Sequence, residues 1–170
     1  QRVTFLDYVD GFFSIAEQRR WPVYFLGGTE TTAAKAAELI RERYPATTFR
    51  THPGYFPYPS EENRALLEDI RSFGPRILVV GMGMPRQEEW IANHWDRLPD
   101  CVILSSGAVF DYLVGRIPIP PRWMGRCGME WAFRVVSEPR RLWKRYLVEP
   151  FVLLPRLLRE IVAQPGRRRS

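Results

Sequence analysis

Ile77-Leu78-Val79-Val80-Gly81-Met82-Gly83-Met84-Pro85 decides the fold of this chain. Four aliphatic residues in a row, with no polar alternation, make a strand whose two rows of side chains both meet a covering layer. The run ends in a Gly-x-Gly turn. Pro85 then suits the first turn of a helix over 86–96, because its missing N–H has no intrahelical partner at that position. A buried strand that enters a helix through a glycine turn is the repeating unit of a parallel α/β sheet.

The same pattern recurs on both sides. Asp7 to Arg20 carries Tyr8, Val9, Phe12, Phe13, Ile15 and Ala16 at helical spacing, and Pro22 ends it. Val23-Tyr24-Phe25-Leu26 reads as a short buried strand running into Gly27-Gly28, and Thr29 can cap a helix whose apolar face is Ala33, Ala36, Ala37 and Ile40. Thr47–Arg50 reads as the next strand, followed by a loop, 52–59, stiffened by Pro53, Pro57 and Pro59. A helix opens at Ser60, with Ala65, Leu66, Ile70 and Phe73 facing inward. Cys101–Leu104 is the fourth strand, and Ser105-Ser106-Gly107 leads into a helix over 108–114. Four strands alternating with helices give a parallel sheet covered on both faces. From Pro118 there is no strand signal, and short helical pieces are broken by Pro139, Pro150 and Pro155. The expected organisation is an α/β domain over 1–117 and a helical, Arg-rich appendage over 118–170.

Composition narrows the class. With 170 residues, 45% apolar and 26% charged, the chain has the make-up of a globular protein with a real core. Two cysteines, Cys101 and Cys127, build neither a disulfide framework nor a CxxC metal pair, so a reducing compartment is expected. No window reaches the roughly 18 apolar residues of a spanning helix, and no secretory signal is present. The chain opens at Gln1 rather than Met, and part of the protein is expected upstream.

Charge is divided unevenly. Residues 1–120 hold 13 Lys+Arg against 15 Asp+Glu, whereas residues 121–170 hold 12 against 4. Of 25 cations, 23 are arginine, which a GC-rich genome explains as well as phosphate recognition does. The basic end alternates with Trp123, Trp131, Phe133, Trp143, Tyr146 and Phe151. Such helices suit a bilayer interface, where aromatics sit at headgroup depth and arginines reach lipid phosphates. A helical cap with a solvated basic face fits the same residues.

Three of the four strands end in glycine turns that start helices, at Gly27-Gly28, Gly81-Met82-Gly83 and Gly107. At the carboxyl edge of an open parallel sheet such turns line a ligand crevice, and helix N-termini there favour phosphate. Each turn alone is also what tight geometry asks for. Gly81-x-Gly83 has Arg86 where the dinucleotide fingerprint wants its third glycine, and no GxxxxGK[ST], HExxH or Asp-x-Asp occurs. His52 and His94 have no cysteine or acid at ligand spacing, so no metal site is expected and His94 reads as structural. Gln87 stands where it can meet a sugar hydroxyl or a phosphate. Asp111, between Phe110 and Tyr112, either accepts from a uracil or ribose group or pairs with Arg116.

Seven blocks in order now carry a resemblance: Tyr24–Gly28, Thr51–Phe56, Val80–Glu88, Gly107–Asp111, Pro121–Met124, Gly128–Arg134 and Glu138–Leu147. Together they strongly resemble the WecG/TagA/CpsF glycosyltransferase family, from about Arg2 to Leu147. The resemblance implies a Rossmann-like, metal-independent, inverting enzyme that needs no cofactor and moves a sugar from a UDP-sugar to an undecaprenyl-diphosphate-linked acceptor. It would work in polysaccharide or teichoic acid synthesis, peripherally bound at the cytoplasmic face of the plasma membrane. Gln87 and Asp111 fall on the family's donor pocket and Tyr55 on its lining loop, joining Gly27, Gly28, Gly81, Gly83 and Gly107 as donor-binding candidates. Arg134, Arg141 and one of Lys144 or Arg145 fall on the appendage that closes over the diphosphate. Lys144 departs from the Arg of the pattern and loses bidentate geometry. The family's general-base Asp belongs to a strand–helix layer expected upstream of residue 1, so neither Asp7 nor Asp10 takes that role.

Two rival classes follow from the residues alone. A nucleotide-dependent oxidoreductase on the same kind of sheet is disfavoured by the failed fingerprint. A nucleic-acid module using the basic end is disfavoured by its apolar content and by Glu130, Glu138, Glu149 and Glu160. The expected partners are therefore the donor, the lipid-linked acceptor and an anionic membrane surface, with no nucleic acid. The exposed apolar appendage favours self-association in the absence of membrane. Which sugar is moved is not encoded in any of these motifs.

Overall fold

A computed structural model describes residues 5–57, 59–118 and 127–137, with Met124 and Pro155 singly. The chain divides into two compact units, Val3–Ile117 and a second that begins at Pro118. In the first, α1 (Phe5–Gln18), β1 (Val23–Gly27), α2 (Glu30–Arg43), β2 (Phe49–His52), α3 (Glu61–Phe73), β3 (Ile77–Gly81), α4 (Arg86–His94), β4 (Val102–Ser105) and α5 (Val109–Leu113) follow one another. The second unit contributes α6, Glu130–Ser137. Among the described residues no helix is long and apolar enough to cross a membrane.

All strand pairings are parallel, and the sheet order is β2-β1-β3-β4. Every residue of β1 and β3 is buried. Alternate residues therefore face opposite layers. Val23, Phe25, Ile77 and Val79 meet Val9 and Phe13 of α1, Ala36 and Ile40 of α2, and Val109 and Phe110 of α5. Tyr24, Leu26, Leu78 and Val80 meet Leu66, Leu67 and Ile70 of α3 and Trp90 of α4. The α/β fold with helices on both faces is thus the one the strand pattern implies.

Several boundaries differ from the sequence reading by one or two residues, α1 covering 5–18 rather than 7–20 and β4 102–105 rather than 101–104. β2 runs over 49–52 rather than 47–50, because its register is set by β1, which pairs Val23 with Phe49 and Leu26 with His52. His52 is consequently a strand residue and not part of the loop. The helix expected over 86–96 stops at His94 and tightens into a 3-10 turn over Trp95–Arg97.

Local signals set the helix ends. Thr29 Oγ1 accepts from the Thr32 amide at 3.2 Å and Ser60 Oγ from the Asn63 amide at 3.1 Å. Gly74 closes α3 in the left-handed region, φ 61°. His94 is structural: Trp90 Nε1 donates to Asn63 Oδ1 at 2.9 Å, Asn63 Nδ2 donates to His94 Nε2 at 2.9 Å, and His94 Nδ1 donates to the Trp90 carbonyl at 2.7 Å. This buried chain locks α3 to α4.

Tyr24 places a phenol in the core, where its hydroxyl donates to Asp69 Oδ2 at 2.7 Å; Asp69 also pairs with Arg50. Burial, and then the Asp69 hydrogen bond, push its pKa well above the ordinary 10.0. The unfolded chain therefore releases this proton first as pH rises. The stability it confers is complete below about pH 10 and erodes above it, by up to about 1.4 kcal/mol per pH unit. Tyr24→Phe is expected to cost about 1 kcal/mol at pH 7 and to flatten the alkaline limb of stability, as read by urea unfolding between pH 7 and 11.

Candidate functional site

In the order β2-β1-β3-β4 the chain leaves β1 toward one edge and returns at β3 on the other side. The carboxyl ends of β1 and β3 therefore flank the topological switch point, where ligands of open α/β sheets bind. Gly27 and Gly81 stand directly opposite each other there.

The candidate glycines divide into two groups. A Cβ on Gly81 would lie 2.7 Å from Phe110 Cε2 and 2.9 Å from the Gly107 carbonyl oxygen, and one on Gly27 would strike the Gly81 carbonyl and the same ring. Gly28 is buried against Phe110 and Thr32. These three let two backbones and an aromatic ring pack at the crevice floor. Gly83 (φ 78°) and Gly107 (φ 59°), by contrast, face open space, with no atom within 4 Å of a built Cβ.

Gly83 leads through Pro85 into α4, whose N-terminus has no side-chain cap. The Gln87 amide already donates to the Gly83 carbonyl at 3.0 Å, so it is chiefly the positive end of the helix dipole that favours an anion there. Gln87 is only 3% exposed. Its Oε1 accepts from the Gly107 amide at 3.1 Å and its Nε2 donates to Glu88 Oε1 at 2.7 Å. Gln87 thus ties the turn after β3 to the turn after β4. Asp111 lies on α5 with its side chain 21% exposed, 3.6 Å from Arg116 Nη1. The pairing with Arg116 that its spacing allowed is therefore made, over a long distance and with a mostly exposed partner.

The loop after β2 forms the other wall. Gly54 packs so tightly that a Cβ would come within 2.6 Å of Met82 Cγ and 2.8 Å of Gly27 Cα, and its amide donates to the Gly28 carbonyl at 2.9 Å. Phe56 is buried, and Tyr55 between them is 64% exposed. Arg86 donates through Nη2 to the Phe56 carbonyl. Sequence reading passed over Gly54, Phe110 and Arg86. The prolines around Gly54 were a usable signal for a built loop, whereas nothing local marked the Phe110 contact with two strands.

Of the other candidates, Arg134 falls on α6 in the second unit, and Arg141, Lys144 and Arg145 lie outside the described residues. Cys101, half-buried, has its thiol pKa raised by burial and then by Asp100.

The chain matches, over residues 1–167, the family model described as "Glycosyl transferase WecG/TagA/CpsF family". Proteins of Staphylococcus aureus strains MW2 and NCTC 8325 / PS 47 are each named N-acetylglucosaminyldiphosphoundecaprenol N-acetyl-beta-D-mannosaminyltransferase. They are 28% identical to it over 144 residues, 85% of this chain and 54% of their own length. The chain spans about half the length of these curated relatives.

The division of the glycines is testable. Gly81→Ala is expected to lose about 2–3 kcal/mol through overpacking against Phe110. Gly83→Ala, with space but a positive φ, is expected to lose about 1 kcal/mol. Chemical unfolding of the two variants measures the difference.

Proposed function

Because the chain belongs to the WecG/TagA/CpsF glycosyl transferase family, we propose that it takes part in transfer of a sugar from a UDP-sugar to a lipid-diphosphate-linked acceptor. The observation that carries this reading is the crevice between β1 and β3. There the uncapped N-terminus of α4 and the open turns at Gly83 and Gly107 meet at a switch point walled by Tyr55. In this reading the diphosphate lies beside the start of α4, and Tyr55 and Asp111 are the side-chain candidates for the nucleoside.

In this proposal the acceptor hydroxyl attacks the anomeric carbon from the face opposite the leaving group, so the C–O bond to UDP breaks with inversion. The negative charge that grows on the departing diphosphate is met by the positive end of α4, and the family resemblance gives the same task to the basic segment, Arg134 and Arg141 with Lys144 or Arg145. Fixed charges of this kind stabilise the leaving group without a metal ion. A carboxylate takes the acceptor proton; none of the described acids is given that role. The acceptor class is supported by the relatives, which are named for action on an N-acetylglucosaminyldiphosphoundecaprenol. The excess of 12 cations over 4 anions in residues 121–170, interleaved with tryptophans, supports docking on an anionic, cytoplasm-facing membrane surface.

Calorimetric titration of the chain with UDP is expected to reveal one saturable site. Gly83→Asp sets a carboxylate beside the α4 amides, and it is expected to weaken UDP by at least about tenfold, roughly 1.4 kcal/mol. Unchanged UDP affinity in that variant removes the diphosphate from α4. Co-sedimentation with phosphatidylglycerol vesicles, but not with pure phosphatidylcholine vesicles, checks the membrane half, and binding is expected to fall with salt.

A further inference from the structure

Arg86 is the first residue of α4, yet its side chain turns to the neighbouring loop. Nη2 donates to the Phe56 carbonyl, and the guanidinium carbon lies 5.8 Å from the Tyr55 ring centroid and 5.7 Å from that of Phe56. Both distances fall within cation–π reach. Phe56 is 3% exposed and fixed in the core, whereas Tyr55 is 64% exposed. A planar cation therefore bridges an anchored ring and an exposed one, on a loop whose Gly54 is already pinned to Gly28.

We propose that Arg86 is a positioning residue that holds the Tyr55 ring as a stacking platform for the planar base of the nucleotide donor, while contributing nothing directly to the diphosphate. The assignment rests on the donor reading above. A tyrosine at the tip of a loop loses conformational freedom when a base stacks on it, and that loss weakens binding unless the ring is already held. Arg86 supplies that restraint through its hydrogen bond to the loop backbone and its contacts with the Tyr55 and Phe56 rings. A lysine reproduces the charge and the hydrogen bond but not the planar contact. The next residue, Gln87, restrains the opposite turn through the Gly107 amide. The start of α4 thus clasps both walls of the crevice.

The test compares UDP with inorganic pyrophosphate on the intact chain by calorimetry. Arg86→Met and Tyr55→Ala are each expected to weaken UDP about tenfold and to leave pyrophosphate within about twofold, in the range that base–aromatic stacking gives. The double variant is expected to be no weaker than the weaker single one, because both remove the same contact. Arg86→Lys is expected to fall between. Tyr55→Ala alters an exposed side chain and keeps the test alive if Arg86→Met folds poorly. Hydrogen exchange of the Tyr55 and Phe56 amides, read without ligand, is expected to speed up in Arg86→Met. Equal losses for UDP and pyrophosphate make Arg86 a phosphate ligand and overturn the proposal, as do additive losses or unchanged exchange. If the unmodified chain binds neither ligand, the donor reading fails instead, and the exchange measurement still decides whether Arg86 restrains the loop.

Discussion

The carboxyl ends of β1 and β3 approach so closely that neither Gly27 nor Gly81 has room for a Cβ, and the Phe110 ring fills the space against both. That contact is the constraint on which the rest depends. It couples α5 to the two central strands and fixes the floor of the crevice, at the edge to which parallel pairing brings the turns after β1, β3 and β4. Phe110 also meets Phe25 edge-on at 5.1 Å, so the floor is continuous with the core beneath it. A rigid floor matters for recognition because ordering a site at the moment of binding costs affinity.

Above that floor, polar contacts rather than apolar ones set the walls. Arg86 and Gln87, consecutive at the start of α4, reach in different directions, one to the Phe56 carbonyl and the other to the Gly107 amide. The helix end is thereby both the expected seat for anionic charge and the clamp on its surroundings. A dipole that is already oriented before ligand arrives stabilises charge without reorganising. The same economy explains why Gln87, a candidate ligand contact, is buried: its side chain is spent on geometry.

Much of the fold was legible in the sequence. Uninterrupted apolar runs at 23–26 and 77–80 announced strands buried on both faces, and Thr29 and Ser60 marked helix starts by local chemistry. β2 was less legible. Its residues Phe49-Arg50-Thr51-His52 carry no apolar run, and only pairing with β1 selects them over Thr47 and Thr48. The site was legible in outline for a similar reason. Glycine turns identify the edge, but a glycine that faces open space and a glycine that admits a neighbouring ring are the same letter.

What the sequence determined by itself was the alternation of strands and helices, the helix caps, the uneven charge and the ordered motifs that identify the family, because each depends on residues close together along the chain. Tertiary structure alone decided which glycines are closed by packing and which are open. It also decided that Gln87 turns to Gly107 and Arg86 to the Tyr55–Phe56 loop. Those outcomes rest on contacts between residues some 20 to 80 positions apart, and such contacts exist only once the sheet order has brought their turns to a common edge.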